Sequence, residues 1–123
     1  MKKLFIFLWL FLLTTSLLVA TQMYVVGEVF TSTTCGYCPV ARSALHQLYN
    51  NSDTYPYFIP LIWQLNSAHI SPNVSSRATL YGVGGIPHAQ WGGTIQVIGG
   101  STATYNQYVN AYNQIVGLNS PME

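Results

Sequence analysis

Hydrophobic and polar positions follow two different periods along this chain, and each period predicts a different kind of element. Residues 24–30 are rich in Val and aromatic side chains, which is typical of a strand. After the polar residues 31–34, apolar residues recur at the i, i+3, i+4, i+7 spacing of an amphipathic helix. These residues are Ala41, Ala44, Leu45 and Leu48. The polar run 50–53 then ends the predicted helix.

A second strand is predicted at residues 57–65, where apolar and aromatic residues again dominate. Pro60 lies inside this run, and proline cannot donate a hydrogen bond to a strand ladder. We therefore expect this strand at an edge of the sheet. Residues 88–91 and 94–98 predict a hairpin, because the glycine pair between them is typical of a tight turn.

Two further helices are predicted, one on each side of the hairpin. Ser71 is a favoured N-cap, Pro72 a favoured first helical residue and Gly82 a typical stop. The buried face of this helix is predicted to contain Val74, Ala78 and Tyr81. The last helix is predicted to open at residues 99–101 and to end at Gly117. Its apolar stripe consists of Tyr105, Tyr108, Val109, Tyr112, Ile115 and Val116. The order β-α-β-α-β-β-α predicts a single α/β domain.

The first 20 residues do not follow this alternation. A basic start precedes an apolar run, and Ala20 supplies a small residue at its end. This layout predicts a secretory signal peptide at residues 1–20, followed by the domain at residues 21–123. An uncleaved membrane anchor at residues 4–20 is the alternative, since that length is at the lower limit for spanning a bilayer. The predicted location is extracytoplasmic, in the periplasm or secreted.

Charge is scarce throughout the 123 residues. Charged side chains make up 6% of the chain, and the formal net charge is +1. The sequence contains no basic patch, so nucleic-acid binding has no electrostatic support. The weak charge also argues against electrostatic steering of a partner. Hydrophobic residues amount to 50%, which is enough to build a core.

The feature that carries chemistry is the pair Cys35 and Cys38, the only cysteines of the sequence. Export normally places such a pair in an oxidising compartment, and a disulfide that closes so short a loop adds little chain-entropy stabilisation. At a helix start, free N–H groups and the helix dipole favour a thiolate at Cys35. Cys38, one turn further in, is expected to be less exposed and suited to resolve a mixed disulfide.

Two other interpretations of the cysteine pair stay open, a structural disulfide and half of a zinc site. Zinc usually takes four ligands, and His46, His69 and His88 are the available histidines. We expect His46 on the surface of the first helix, and His69 lies in an uninformative polar loop. His88 follows the Ile86–Pro87 bond, which is either cis or an ordinary trans turn bond.

Two segments resemble the thioredoxin superfamily. The segment Phe30-Thr31-Ser32-Thr33-Thr34-Cys35-Gly36-Tyr37-Cys38 looks like its active-site segment, and Tyr81-Gly82-Val83-Gly84-Gly85-Ile86-Pro87 looks like its cis-proline segment. The Gly-Tyr pair between the cysteines is similar to periplasmic disulfide isomerases. The stretch 28–39 also resembles thioredoxin-like outer-membrane proteins. The resemblance implies a thioredoxin fold with a four-stranded mixed sheet flanked by helices.

The resemblance also implies roles for individual residues. Cys35 would be the nucleophile, Cys38 the resolving thiol, and Pro87 a cis-proline facing them. The backbone at Ile86 would pair with an extended substrate segment, as in strand addition. The implied substrate-binding residues are Gly36, Tyr37, Ile86, Pro87 and His88.

The sequence departs from the family in three places. Many members carry a buried acid six residues before the first cysteine, where this chain has Val29. Glu28 is one residue earlier, on the opposite face of the strand, so it acts through a bulge or there is no acid relay. His88 stands where Thr is frequent, and it tunes Cys35, adds a metal ligand or is an exposed, idle histidine. No additional strand is expected before Tyr24.

The leading hypothesis is a thiol–disulfide oxidoreductase without a cofactor or bound metal, acting as a monomer on exported protein thiols or disulfides together with a redox partner protein. The alternative is a copper- or zinc-binding protein that uses Cys35, Cys38 and His88. A thioredoxin-like binding module without activity is the third hypothesis. Contact with a membrane is expected only if residues 4–20 are retained. The sequence does not indicate the direction of electron flow.

Overall fold

A computed structural model describes residues 22–66, 70 and 72–118. The predicted signal peptide, His69 and the predicted cap Ser71 lie outside these residues. The elements of the described part are β1 (Val25–Thr31), α1 (Cys38–Asn50), β2 (Phe58–Gln64), α2 (Val74–Leu80), β3 (His88–Trp91), β4 (Ile95–Ile98) and α3 (Thr104–Val116). The predicted order β-α-β-α-β-β-α is confirmed. Across these ranges, no helix has both the length and the apolar character needed to cross a membrane.

The strands form one mixed sheet in the order β2-β1-β3-β4. Strand β1 is parallel to β2 and antiparallel to β3, and β3 is antiparallel to β4. The β3–β4 connection is the predicted glycine hairpin, in which Gly92 and Gly93 have φ angles of 51° and 75°. Side chains rarely permit such angles, so glycines are required at this turn. The mixed four-stranded sheet with its helices has the topology of a thioredoxin-like fold.

Strand β2 lies at an edge of the sheet, as Pro60 predicts. One hydrogen bond marks each end of the β1–β2 pairing. Val25 N–H donates to the Tyr57 carbonyl oxygen at 2.8 Å, and Leu65 N–H donates to the Thr31 carbonyl oxygen at 2.9 Å. Alternate residues of a parallel strand bond to the same neighbour, so the odd-numbered residues of β2 face β1. Pro60 therefore faces the free edge, where its missing N–H leaves the ladder intact and blunts the edge against further pairing.

The main core lies between the sheet and the helices α1 and α3. The four apolar positions predicted for the first helix are all buried there. Rings from different elements fill the centre, with Phe58 stacked on Trp91 at 5.4 Å and Trp91 tilted against Tyr108 at 5.0 Å between centroids. Burial of such large apolar surfaces is the main stabilising term for a domain of this size.

A smaller cluster occupies the opposite face of the sheet, beneath α2. Phe30 is its centre, with ring centroids of Trp63, Tyr81 and His88 at 6.3, 6.2 and 6.1 Å. The two faces follow from strand alternation, because Val29 packs into the main core while its neighbours Glu28 and Phe30 point the other way.

Two helices begin later than their sequences predict. Helix α2 begins at Val74 behind Asn73, which makes no side-chain cap bond, so Pro72 precedes the helix rather than opening it. Helix α3 begins at Thr104, whose Oγ1 accepts a hydrogen bond from Ser101 N–H at 2.8 Å. At α3, a local turn from Ser101 to Thr104 thus precedes the first helical residue.

Candidate active site at the Cys35–Cys38 disulfide

Cys35 and Cys38 form a disulfide at the N-terminus of α1, with their Cα atoms 5.4 Å apart. The N-cap residue Tyr37 makes no side-chain cap bond. Instead, the backbone N–H of Cys38 donates to Cys35 Sγ at 3.1 Å. The sulfur of Cys35 thus accepts one of the N–H groups that a helix start leaves unpaired, and the same geometry favours a thiolate when the disulfide opens.

The two sulfurs differ in accessibility. Cys38 is fully buried, whereas Cys35 is half-buried. The intervening Gly36 and Tyr37 are exposed, Tyr37 to 68%. A partner can therefore reach Cys35 but not Cys38, which is the difference in exposure expected from the sequence.

The Ile86–Pro87 peptide bond is cis. Strand pairing sets Phe30 opposite His88, so Pro87 lies beside the carboxyl end of β1, from which the chain leads to Cys35. Gly99 N–H donates to the Pro87 carbonyl oxygen at 2.8 Å and ties this loop to the end of β4. Pro87 is buried and Ile86 half-buried.

Gly100 brings the β4–α3 loop against the cysteine loop. A Cβ atom at Gly100 would lie 2.5 Å from the Tyr37 carbonyl oxygen and 3.3 Å from Tyr37 Cβ. Only a glycine permits this approach without a backbone shift. The loops that contain Cys35, Pro87 and Gly100 therefore meet at one end of the sheet.

His88 is buried, with 1% of its side chain exposed, so the expectation of an exposed, idle histidine is wrong. Its ring packs edge-on against Phe30, and its Nε2 lies 3.5 Å from Gln90 Oε1. Its Nδ1 has no hydrogen-bond partner among the described residues. Because Ala89 faces the main core, His88 points to the other face of the sheet, beneath α2.

The alternative metal site obtains no support from this arrangement. In the part of the chain that the structure describes, no three His, Cys, Asp or Glu side chains are close enough together to hold a metal ion. His46, the other described histidine, lies exposed on α1 as expected. A protein zinc site usually needs four ligands, of which the cysteine pair supplies two.

Glu28 is buried on the face of the sheet beneath α2, where three side chains bind its carboxylate. Arg77 donates from Nε at 2.8 Å and from Nη2, Trp63 Nε1 donates at 2.9 Å, and the Tyr81 hydroxyl donates at 2.8 Å. Burial acts to raise the pKa of the Glu28 carboxyl, but these donors and the charge of Arg77 together hold that pKa below its ordinary value.

The suggested bulge at Glu28 is wrong, because the pairing of β1 with both neighbours runs without a skipped residue. Val29 occupies the main core beside α1 and has no acidic group to offer. The carboxylate of Glu28 thus binds Arg77 and anchors α2 to the sheet. Sequence reasoning missed its partners Trp63, Arg77 and Tyr81, since no local pattern pairs residues that are 35 to 53 positions apart.

Comparisons with known proteins add the fold alone. No protein-family model matches the chain, and no curated protein matches it. Among solved structures, a crystal structure of a protein from Agrobacterium tumefaciens is similar, with a TM-score of 0.54 and 23% sequence identity. The similarity covers 76% of this chain and 47% of that one, so this chain corresponds to about half of its length. At this level of identity the similarity concerns the fold only. The mixed sheet and the Cys35–Cys38 pair fit a thioredoxin-like fold.

Proposed function

We propose that this protein is an extracytoplasmic thiol–disulfide oxidoreductase that exchanges disulfides with protein substrates through Cys35 and Cys38. The observation that supports this most directly is the asymmetric pair at the start of α1. One sulfur is accessible and accepts a backbone N–H, and the other is fully buried. An accessible sulfur that is stabilised as a thiolate is both a good nucleophile and a good leaving group.

The exchange proceeds in two steps. A substrate thiolate attacks Cys35 Sγ, the Cys35–Cys38 bond breaks, and Cys38 leaves as a thiolate. A second substrate thiolate then attacks the substrate sulfur of the mixed disulfide, which releases Cys35 and an oxidised substrate. Two electrons pass from the substrate to the cysteine pair. The two protons of the substrate thiols are released to solvent, from which the Cys35 and Cys38 thiolates are protonated according to their pKa values. In reverse, Cys35 attacks a substrate disulfide and Cys38 resolves the mixed disulfide. The reduction potential of the pair sets the net direction.

The residues around Cys35 suggest how a substrate segment would bind. The exposed Tyr37 ring offers an apolar surface beside the reactive sulfur. Backbone groups of Ile86, next to the cis-proline, would pair with an extended segment. Gly36 and Pro87 would complete the binding surface, while the His88 ring, buried against Phe30, would not contact the substrate.

The location outside the cytoplasm is part of the proposal. Its support is the basic start, apolar run and small residue of positions 1–20. The proposed partners are exported proteins and a protein that restores the redox state of the pair. Fractionation of cells that express the full chain with a C-terminal tag tests this: recovery in the cytoplasm with residues 1–20 intact would contradict it.

The proposed chemistry is tested with Cys35→Ser and Cys38→Ser in the full chain. Cys35→Ser is expected to abolish both insulin-disulfide reduction and dithiol oxidation. Cys38→Ser is expected to accumulate mixed disulfides, visible on non-reducing gels and lost on reduction. His46→Ala, an exposed change on the same helix, serves as the control and should retain activity. If Cys35→Ser retained wild-type rates in both assays, Cys35 would not carry the exchange and the proposal would fail.

A further inference from the structure

Four consecutive hydroxyl side chains, residues 31–34, lead from β1 to Cys35, and the proposed exchange chemistry uses none of them. Two of them are bound by Asn66, just beyond the end of β2. Thr33 Oγ1 donates to the Asn66 carbonyl oxygen at 3.3 Å, and Asn66 Nδ2 donates to Thr34 Oγ1 at 3.3 Å. A single residue that is distant in sequence thus holds two successive residues of the loop.

The contacts continue from Thr34 to the reactive cysteine. Ser32 Oγ lies 3.0 Å from Thr34 Oγ1 and accepts Thr34 N–H at 3.2 Å. The Ser32 carbonyl oxygen accepts Cys35 N–H at 3.4 Å. Hydrogen bonds thus connect the Asn66 amide to Thr34 and Thr34 to the Ser32 hydroxyl, and the backbone of Ser32 in turn bonds to Cys35.

We propose that Asn66 is a positioning residue for Cys35, a role that rests on the proposed thiol–disulfide function. In the oxidised protein the disulfide itself ties Cys35 to α1. When it opens, the loop must hold the sulfur close to Cys38 N–H, the donor that stabilises its thiolate. The amide of Asn66 holds Thr34, the residue directly before Cys35, and so keeps the sulfur near that donor.

Asn51 provides a matched control. Its Oδ1 accepts a hydrogen bond from Thr54 Oγ1 at 3.0 Å in the turn after α1, again an exposed Asn–Thr bond. Removal of either amide is expected to affect overall stability to a similar, small extent. Only the loss of Asn66 is expected to change the reactivity of Cys35.

The test measures iodoacetamide alkylation of Cys35 against pH in the full chain carrying Cys38→Ser, so that one thiol reacts. Asn66→Ala is expected to move the midpoint of the profile upward, towards the ordinary thiol value. The alkylation rate at pH 6 is expected to fall about threefold to tenfold, since one pH unit in the midpoint is a factor of ten in thiolate fraction. Thr34→Val should reproduce the shift. Thr34→Ser, which keeps the hydroxyl, should retain the profile of the Cys38→Ser parent.

The outcomes separate this inference from the proposed function. An unchanged profile in both Asn66→Ala and Thr34→Val, beside a parent with a lowered midpoint, would overturn the role of Asn66 alone. The same shift in Asn51→Ala would show a general loss of stability and would also overturn it. A parent midpoint at the ordinary thiol value of about 8.5 would instead count against the activated thiolate on which the proposed function depends.

Discussion

Arg77 binds the carboxylate of Glu28 with two of its nitrogens, although the residues are 49 positions apart in the chain. Glu28 is on the central strand β1 and Arg77 on the short helix α2. Trp63 and Tyr81 donate to the same carboxylate, so residues from β1, β2 and the α2 segment meet at one buried charge. The Arg77 guanidinium also lies 4.8 Å from the centre of the Tyr81 ring, a cation–π distance.

The stability of the fold is expected to fall in acid because of Glu28. Its folded-state pKa lies below the ordinary value, so its contribution is complete above the unfolded pKa of about 4.3 and is lost as pH falls through the folded pKa. Urea unfolding from pH 7 to pH 3 should therefore show a decline that begins near pH 5. Glu28→Gln should flatten this decline, whereas Asp53→Asn, in an exposed turn, should retain it.

Removal of Arg77 should leave a buried carboxylate with fewer donors. We expect Arg77→Met to lower the free energy of unfolding by about 1–3 kcal/mol; the 39% exposure of the arginine side chain keeps the loss below that of a fully buried pair. In a double-mutant cycle, Glu28→Gln should remove most of the effect of Arg77→Met. Arg42→Met on α1 is the control. Additive losses in the cycle would show that the two residues are not coupled.

Gly100→Ala should disturb the dithiol loop. Its Cβ would meet the Tyr37 carbonyl oxygen at 2.5 Å, so the two backbones must separate. We expect a loss of about 1–3 kcal/mol in the free energy of unfolding and a slower thiol exchange. Gly117→Ala, whose Cβ would lie 4.0 Å from the Asn113 carbonyl oxygen, should change neither. Equal exchange rates in the two variants would contradict the importance of the Gly100 contact.

Tyr108→Phe should stabilise the protein. The Tyr108 side chain is fully buried, its hydroxyl has no hydrogen-bond partner within the described ranges, and burial raises its pKa. Removal of an unsatisfied hydroxyl should raise the free energy of unfolding by about 1 kcal/mol. Tyr55→Phe is the comparison, because the Tyr55 hydroxyl lies 3.5 Å from that of Tyr105 and has a partner to lose. A lower melting temperature for Tyr108→Phe than for wild type would contradict this.

The sequence by itself determined the order of the elements, the edge position of β2 and the placement of Cys35 and Cys38 at a helix start. Each of these depends on residues close together in the chain: a helical stripe, the missing N–H of Pro60, a glycine pair at a turn. The spacing of apolar residues reflects burial on one face, so the pattern predicts elements without knowledge of their neighbours.

The tertiary structure alone decided which distant residues meet. Strand pairing buried His88 beneath α2, and the packing of that helix gave Glu28 its three donors. The close approach of Gly100 to Tyr37 and the contact of Asn66 with the cysteine loop likewise join separate segments. No local pattern contains these contacts, because they depend on the register and packing of elements that only the complete fold brings together.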